Sequence, residues 1–286
     1  MNLKTKAKLL FLLFFFNLIA WMVVFDLSSN NLKVIFFDVG QGDAIFLETP
    51  NNHQILVDGG PNAKVLEGLG RAMPFYDRTI DLVVLTHPDH DHTGGLMEVF
   101  ERYEVKNIMW TGVIKEGSEF EELGKRIKEE GSNVIVARAG QKVFSGKKFV
   151  METLYPIENL ENQEFKDYNK TSIVNRVLFG QNVFLLTGDA PKSIENSLMA
   201  EMDLKADVLK LGHHGSKSST SKDFVENVNP EIAIVSCGKD NKYNHPHPEA
   251  VEILKEYGIN ILRTDEIGDI KIIADGNKII NHYEKK

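Results

Sequence analysis

Thr86-His87-Pro88-Asp89-His90-Asp91-His92-Thr93-Gly94-Gly95 is the stretch on which the reading of this chain turns. Five of its ten side chains are imidazoles or carboxylates, groups that bind divalent metals once deprotonated, and no Cys is among them. An apolar run of strand length, Ile80-Asp81-Leu82-Val83-Val84-Leu85, precedes it, and Leu96-Met97-Glu98-Val99-Phe100 follows in a helix expected from Thr93 to Tyr103. The ligand types are therefore expected on a loop at a strand's C-terminal end, held by the sheet behind and open to solvent in front. Residues 87, 89 and 91 alternate along an extended loop and can converge on one side, while Asp91 and His92, being adjacent, can point to two different ions. That spacing suits two metals. Gly94 and Gly95 let the helix begin close under the loop.

Composition limits the alternatives. The chain has 286 residues, 42% of them hydrophobic, which is enough for a substantial packed interior. A net charge of -8 argues against broad charge-driven adhesion to nucleic acid, although a local basic groove does not show in a net count. Cys237 is the single cysteine, so neither an intrachain disulfide nor a thiolate metal cage is possible.

The N-terminus reads as a separate element. Residues 1–8 are basic, and Leu9 to Phe25 is apolar except for Asn17, rising about 25 Å as a helix against a hydrocarbon core of ~30 Å. No small-x-small cleavage site follows, so an uncleaved transmembrane anchor over residues 9–25 is favoured over a removed signal peptide. Lys4, Lys6 and Lys8 would then stay cytoplasmic, residues 26–31 would be a linker, and residues 32–286 a catalytic domain outside the cytoplasm.

From residue 32 strands and helices alternate. Leu32 to Asp38 and Ala44 to Glu48 form a hairpin about a glycine turn, Gln54 to Asp58 is a third strand, and a helix spans Ala63 to Ala72. Beyond the ligand loop come a strand to Trp110, a charged helix from Ser118 to Glu130, and a hairpin about Ser145-Gly146. The second half repeats the scheme and closes with a hairpin from Asp269 to Tyr283. The fold class is α/β, two facing mixed sheets with helices outside.

Further metal-type residues fall at later strand ends. Leu185-Leu186-Thr187-Gly188-Asp189-Ala190 ends a buried strand with an aspartate, and Val208-Leu209-Lys210-Leu211-Gly212-His213-His214-Gly215-Ser216 ends another with two histidines. Asn241-Lys242-Tyr243-Asn244-His245-Pro246-His247-Pro248 supplies two more, of which His247 reads as an N-cap before Pro248. Seven of the nine histidines lie in these clusters and the first, which a random scatter would not produce.

These segments resemble the metallo-β-lactamase superfamily, whose first motif is His-x-His-x-Asp-His before glycine. The likeness is strongest to the metallo-β-lactamase-like domain of ComEC, the bacterial competence DNA-uptake channel protein. It is carried also by Phe37-Asp38-Val39-Gly40-Gln41-Gly42-Asp43-Ala44, Leu56-Val57-Asp58-Gly59-Gly60, Asn169-Lys170-Thr171-Ser172 and Arg263-Thr264-Asp265. It covers the hydrolase module alone. The resemblance implies a four-layer αββα fold and two divalent metal ions. One ion takes His87, Asp89 and a bridging Asp189, with Asn169 nearby; the other takes Asp91, His92, Asp189 and one of His213 or His214. Asp89 and Asn169 stand where the wider superfamily has histidines, and more oxygen ligands shift preference from Zn²⁺ towards Mn²⁺. Asp58 is expected to orient the metal loop.

Two cations about 3.5–4 Å apart activate a shared water and neutralise attacking and leaving oxygens. The expected function is a metal-dependent phosphodiesterase or nuclease acting on DNA, with Asp91 and Asp189 at the reacting centre and a DNA-uptake channel as a possible partner. Asn169, Lys170, Ser172, Lys210 and Ser216 are the candidates for contacting phosphate; His245 with Tyr243 protonates the leaving group or binds substrate. The alternatives are hydrolysis of a small ester, lactam or envelope phospholipid, and a module that binds nucleic acid or a partner without turnover.

Overall fold

In a computed structural model, residues 3–27 and 30–282 are described, with the side chains of 22–27 and 281–282 excluded. Residues 28 and 29 of the expected linker, and Tyr283 at the end of the closing hairpin, lie outside that description.

Two sheets stack face to face. The first has eight strands in the spatial order Ile279–His282, Ile270–Ala274, Leu32–Phe36, Ile45–Glu48, Gln54–Val57, Leu82–Val84, Asn107–Trp110 and Asn133–Val136. The second has seven: Asn260–Arg263, Ile232–Val235, Val208–Lys210, Asn182–Leu186, Val174–Phe179, Phe149–Tyr155 and Lys142–Ser145. Val34, Phe36, Leu47 and Val57 from the first sheet meet Met151, Val177, Phe184 and Val208 from the second in the central apolar layer. The period-two alternation of a half-buried strand places the neighbouring residues outward. There Phe37, Phe46, Leu56 and Val83 pack under the helices Lys64–Ala72, His90–Arg102 and Ser118–Glu130. On the opposite side Leu185, Leu209 and Ala233 pack under Lys192–Glu201, Lys222–Val228 and Pro248–Glu256. These are the four layers expected.

Each sheet has an antiparallel half and a parallel half. Gln54–Val57, Leu82–Val84 and Asn107–Trp110 run parallel, as do Asn182–Leu186, Val208–Lys210 and Ile232–Val235. Parallel strands put their C-terminal ends on one rim, where open α/β sheets form their sites. The closing hairpin does not stand apart: Ile270–Ala274 pairs antiparallel with Leu32–Phe36, joining the last strands to the first.

Two expectations need correction. The ligand stretch is not loop throughout, because the helix starts at His90 and places Asp91 and His92 in its first turn, with Asp89 at the N-cap position. Helix and sheet approach so closely there that a Cβ on Gly95 would lie 2.0 Å from the Gly59 carbonyl oxygen. The transmembrane anchor over residues 9–25, and the single-pass extracytoplasmic placement built on it, also fall. Among the described residues no helix is long and apolar enough to cross a membrane. The N-terminal helix Leu3–Leu27 carries Lys4, Lys6 and Lys8.

Candidate metal centre

The rim collects one short segment from each of four parallel strands. Asp58 follows Gln54–Val57, His87 follows Leu82–Val84, Asp189 follows Asn182–Leu186, and His213 and His214 follow Val208–Lys210. Asp58, His213 and His214 all have positive φ, at 59°, 48° and 54°. Such left-handed backbone costs a non-glycine residue on the order of 1–3 kcal/mol and concentrates at functional sites.

Three buried imidazoles converge on Asp189. His92 Nε2 lies 3.4 Å from Asp189 Oδ1, and the Nε2 atoms of His214 and His87 lie 3.6 and 3.8 Å from Oδ2. Asp91 Oδ2 is 3.3 Å from His214 Nε2, and Asp89 Oδ2 is 3.6 Å from His87 Nε2. Every Nδ1 is engaged on the far side. His92 donates to Asp58 Oδ2 at 2.7 Å and His214 to the Ser236 carbonyl at 2.9 Å. Thr86 Oγ1 donates to Asp58 at 2.7 Å, which leaves its oxygen to accept from His87 Nδ1 at 3.0 Å. A ring whose Nδ1 carries the proton presents a bare Nε2 lone pair inward, the tautomer a metal ligand needs.

The electrostatics are those of a cluster short of positive charge. Burial opposes ionisation of Asp189, yet His214, His92 and His87 hold it well below the usual carboxylate range. Burial likewise opposes the charged forms of His92 and His214, and Asp189 with Asp58 or Asp43 overcomes it, raising His92 and bringing His214 to about 9. His87 is lowered by burial and by His92, whose ring centroid is 4.2 Å away. In the protein alone, protons on His92 and His214 balance the carboxylates; a cation bound between them displaces those protons.

The residues fit a divalent ion. Ligand atoms of Asp91, His92, Asp189 and His214 all lie within 4.8 Å of one another. His87 Nε2, His92 Nε2 and Asp189 Oδ1 are buried without a hydrogen-bond partner, although buried polar atoms are nearly always paired. All three face the same small volume. Mixed imidazole and carboxylate donors suit zinc, manganese or iron.

Of the two adjacent histidines, His214 is the one that lies in this cluster. His213 is 29% exposed, with Nε2 3.9 Å from Asp189 and Nδ1 3.3 Å from Asn169 Nδ2. Asn169 sits beside the cluster with Oδ1 buried and unpartnered. Asp58 accepts from the N–H of Thr86, the first residue of the ligand stretch, at 2.8 Å. His247 caps its helix by accepting from Glu249 N.

Several expected substrate contacts are placed otherwise. Lys210 is wholly buried, with Nζ 2.7 Å from both Asp43 Oδ2 and the Leu211 carbonyl, so it reaches no phosphate. The inward side of its strand points it behind His214. Ser172 is buried and accepts from Asp189 N at 3.1 Å, positioning that carboxylate. Ser216 Oγ accepts from Ser218 Oγ at 3.0 Å within the same turn. Lys170 is exposed. Tyr243 is 53% exposed and stacks on His245 at 5.7 Å between centroids. Burial first, then His213 and His214, lowers His245 to about 4. It is therefore neutral near pH 7 and suited to accepting or donating a hydrogen bond, not to storing a proton. A cleft of about 550 Å³ opens beside it, lined by Asn241, Asn244, His245 and Arg263 among others.

Sequence reasoning assigned no role to two residues here. Asp43 stands in the quoted glycine turn, where its acidic type was a signal; it is buried between Lys210 and His214, with Oδ1 3.4 Å from His214 Nδ1. Burial would raise its carboxyl, but Lys210 and then His214 hold it at about 2. Lys115, in an ordinary charged segment, pairs with Asp89 Oδ1 at 2.6 Å.

Fold and site together define an αββα protein with a metal centre of histidines and aspartates at the rim of two sheets. The chain belongs to the metallo-β-lactamase superfamily: the sequence model of that family matches residues 37–239. It is a metal-dependent hydrolase of that superfamily. It is 31% identical over 269 residues to ComE operon protein 3 of Bacillus subtilis (strain 168), covering 87% of this chain and 34% of the relative. Competence protein ComA of Neisseria gonorrhoeae is 33% identical over 246 residues, covering 85% and 32%. The chain thus spans about a third of the length of the curated relatives it matches. Among solved structures, the metallo hydrolase Igni18 of Ignicoccus hospitalis matches with a TM-score of 0.55 at 15% identity, covering 84% of this chain and 98% of that one. That likeness concerns the fold.

Proposed function

We propose that this domain hydrolyses phosphodiesters, with DNA as its substrate. The observation that carries the reading is the convergence of three buried Nε2 atoms on Asp189, beside Asp89 and Asp91. Asp91, His92, Asp189 and His214 would hold one divalent ion, and His87, Asp89 and Asp189, with Asn169 alongside, a second; Mn²⁺ or Zn²⁺ suits the donors. Bound cations would supply an activated water and charge neutralisation at a phosphoryl group.

The chain's own residues do the rest. Asp189 orients the centre, held in place by the Ser172 hydroxyl. Asp58 keeps His92 and the His87 loop in register through Thr86. His245, neutral and stacked on Tyr243, offers a hydrogen bond and an aromatic surface at the cleft, where a base or sugar would lie against the ring. Asn169, beside the cluster, and the exposed Lys170 carry amide and charge for phosphate oxygens. DNA is favoured over other diesters because the relative from Neisseria gonorrhoeae is named a competence protein, and a channel as partner is part of the same reading.

The test is cleavage of single-stranded and duplex DNA by the purified domain with Mn²⁺ or Zn²⁺. Metal-stimulated cleavage that falls to background in Asp189→Ala supports the proposal. Cleavage surviving that substitution removes it, as does turnover confined to chromogenic esters or lactams.

A further inference from the structure

The two halves of the centre differ by a lysine, which touches only the Asp89 side. Ile114 is held on a short bridge to Glu164, donating its N–H to the Gln163 carbonyl at 2.9 Å and accepting at its own carbonyl from Tyr168 Oη at 2.7 Å. The next residue, Lys115, is thereby aimed at the rim. Its Nζ donates to Asp89 Oδ1 at 2.6 Å and to the Pro88 carbonyl at 2.7 Å, and lies 5.1 Å from the centre of the Tyr168 ring. This ammonium has three fixed partners and is not a wandering surface charge.

Asp89 is the carboxylate that would complete the His87 half of the centre. Its other oxygen, Oδ2, is the one facing His87 Nε2. A divalent ion entering there must share Asp89 with an ammonium already bonded to it, or displace that ammonium. Either course costs Coulomb energy between like charges in a partly buried setting, where screening is weaker than in bulk water. Among the described residues no lysine is paired with Asp91, and Lys210, on the far side of His214, is neutralised by Asp43.

We propose that Lys115 is a built-in competitor for the second cation, so that the centre holds one ion tightly at Asp91, His92, Asp189 and His214 while Lys115 supplies the second positive charge beside Asp89. The inference rests on the metal reading of the site and deepens it. An ion-plus-lysine pair still places two positive centres around a phosphodiester. When a second ion does bind, Lys115 is released at the mouth, its stem against Tyr168, where an anionic oxygen is the natural partner.

The experiment is Mn²⁺ binding to the full chain, followed by equilibrium dialysis with metal analysis and by electron paramagnetic resonance. Wild type is expected to bind one ion tightly, with the signal of an isolated Mn²⁺, and a second far more weakly. Lys115→Met keeps the stem and removes the charge. It should tighten the second ion by about tenfold or more, the size of effect that outer partners exert on metal affinity, and bring up the signal of a coupled pair. Lys115→Arg keeps the charge and should resemble wild type. Two ions of equal affinity in wild type overturn the proposal, as does an unchanged second constant in Lys115→Met. If no variant binds Mn²⁺ or Zn²⁺ at all, the metal reading itself fails and takes this inference with it.

Discussion

On the Asp91, His92 and His214 side of the centre, each imidazole is backed by a buried acceptor, Asp58 behind His92 and the Ser236 carbonyl with Asp43 behind His214. On the His87 and Asp89 side the backing is a threonine hydroxyl, and the carboxylate is a third exposed and shared with Lys115. Both sides use Asp189. The difference teaches that ligand type alone does not set how firmly a site holds a cation. What sets it is how many of the groups behind the ligands are already committed, and with which charge.

Lys210→Met should break the enclosed side most severely. It strands the Asp43 carboxylate in a dry interior, and losing one partner of a buried ion pair costs about 3–5 kcal/mol. Chemical denaturation of the metal-free domain measures it, and an unchanged unfolding free energy would show that Asp43 is not dependent on Lys210.

Asp58→Asn should lower affinity for the first ion by about 10- to 100-fold, because it loosens His92 and the Thr86 loop together. Asp89→Asn, whose carboxylate Lys115 already engages, should change that first constant much less. Competition with a chelator reads both, and equal losses in the two variants would erase the asymmetry.

A smaller effect concerns pH. His214 is raised from 6.5 to about 9 in the folded protein, so its contribution to stability is fully present below pH 6.5 and is lost as pH rises through about 9. The metal-free domain should therefore melt at progressively lower temperature across that window. Saturating Mn²⁺ should flatten the fall, because a bound ion replaces the proton on Nε2. A metal-free melting temperature that rises over the same range would show that His214 carries no proton there.

Much of the site was legible in the residue order, and for physical reasons. The ligand stretch pairs glycines with imidazoles and carboxylates at a strand end, a combination that has little use other than holding a cation at a sheet rim. His247 before Pro248 declared itself as a cap. Lys210 misled, since a lysine at the end of a buried strand looks like a phosphate contact; only its inward register and the presence of Asp43 make it an interior ion. Lys115 gave no sign, because nothing in Gly112-Val113-Ile114-Lys115-Glu116 distinguishes it from a solvated charge. The N-terminal run misled in another way, by promising a span that the described helix does not provide.

The amino-acid order by itself determined the alternation of strands and helices, the apolar faces that stack two sheets, and the chemical character of the centre, because periodicity and side-chain type are local properties. Tertiary structure alone decided that His214 and not His213 sits in the buried cluster with Asp91, His92 and Asp189, that Lys210 backs the site instead of lining it, and that Lys115 reaches Asp89. Those outcomes depend on which side chains from distant strands meet within a few ångströms. That is set by register, backbone handedness and burial across the two sheets, and no single segment carries it.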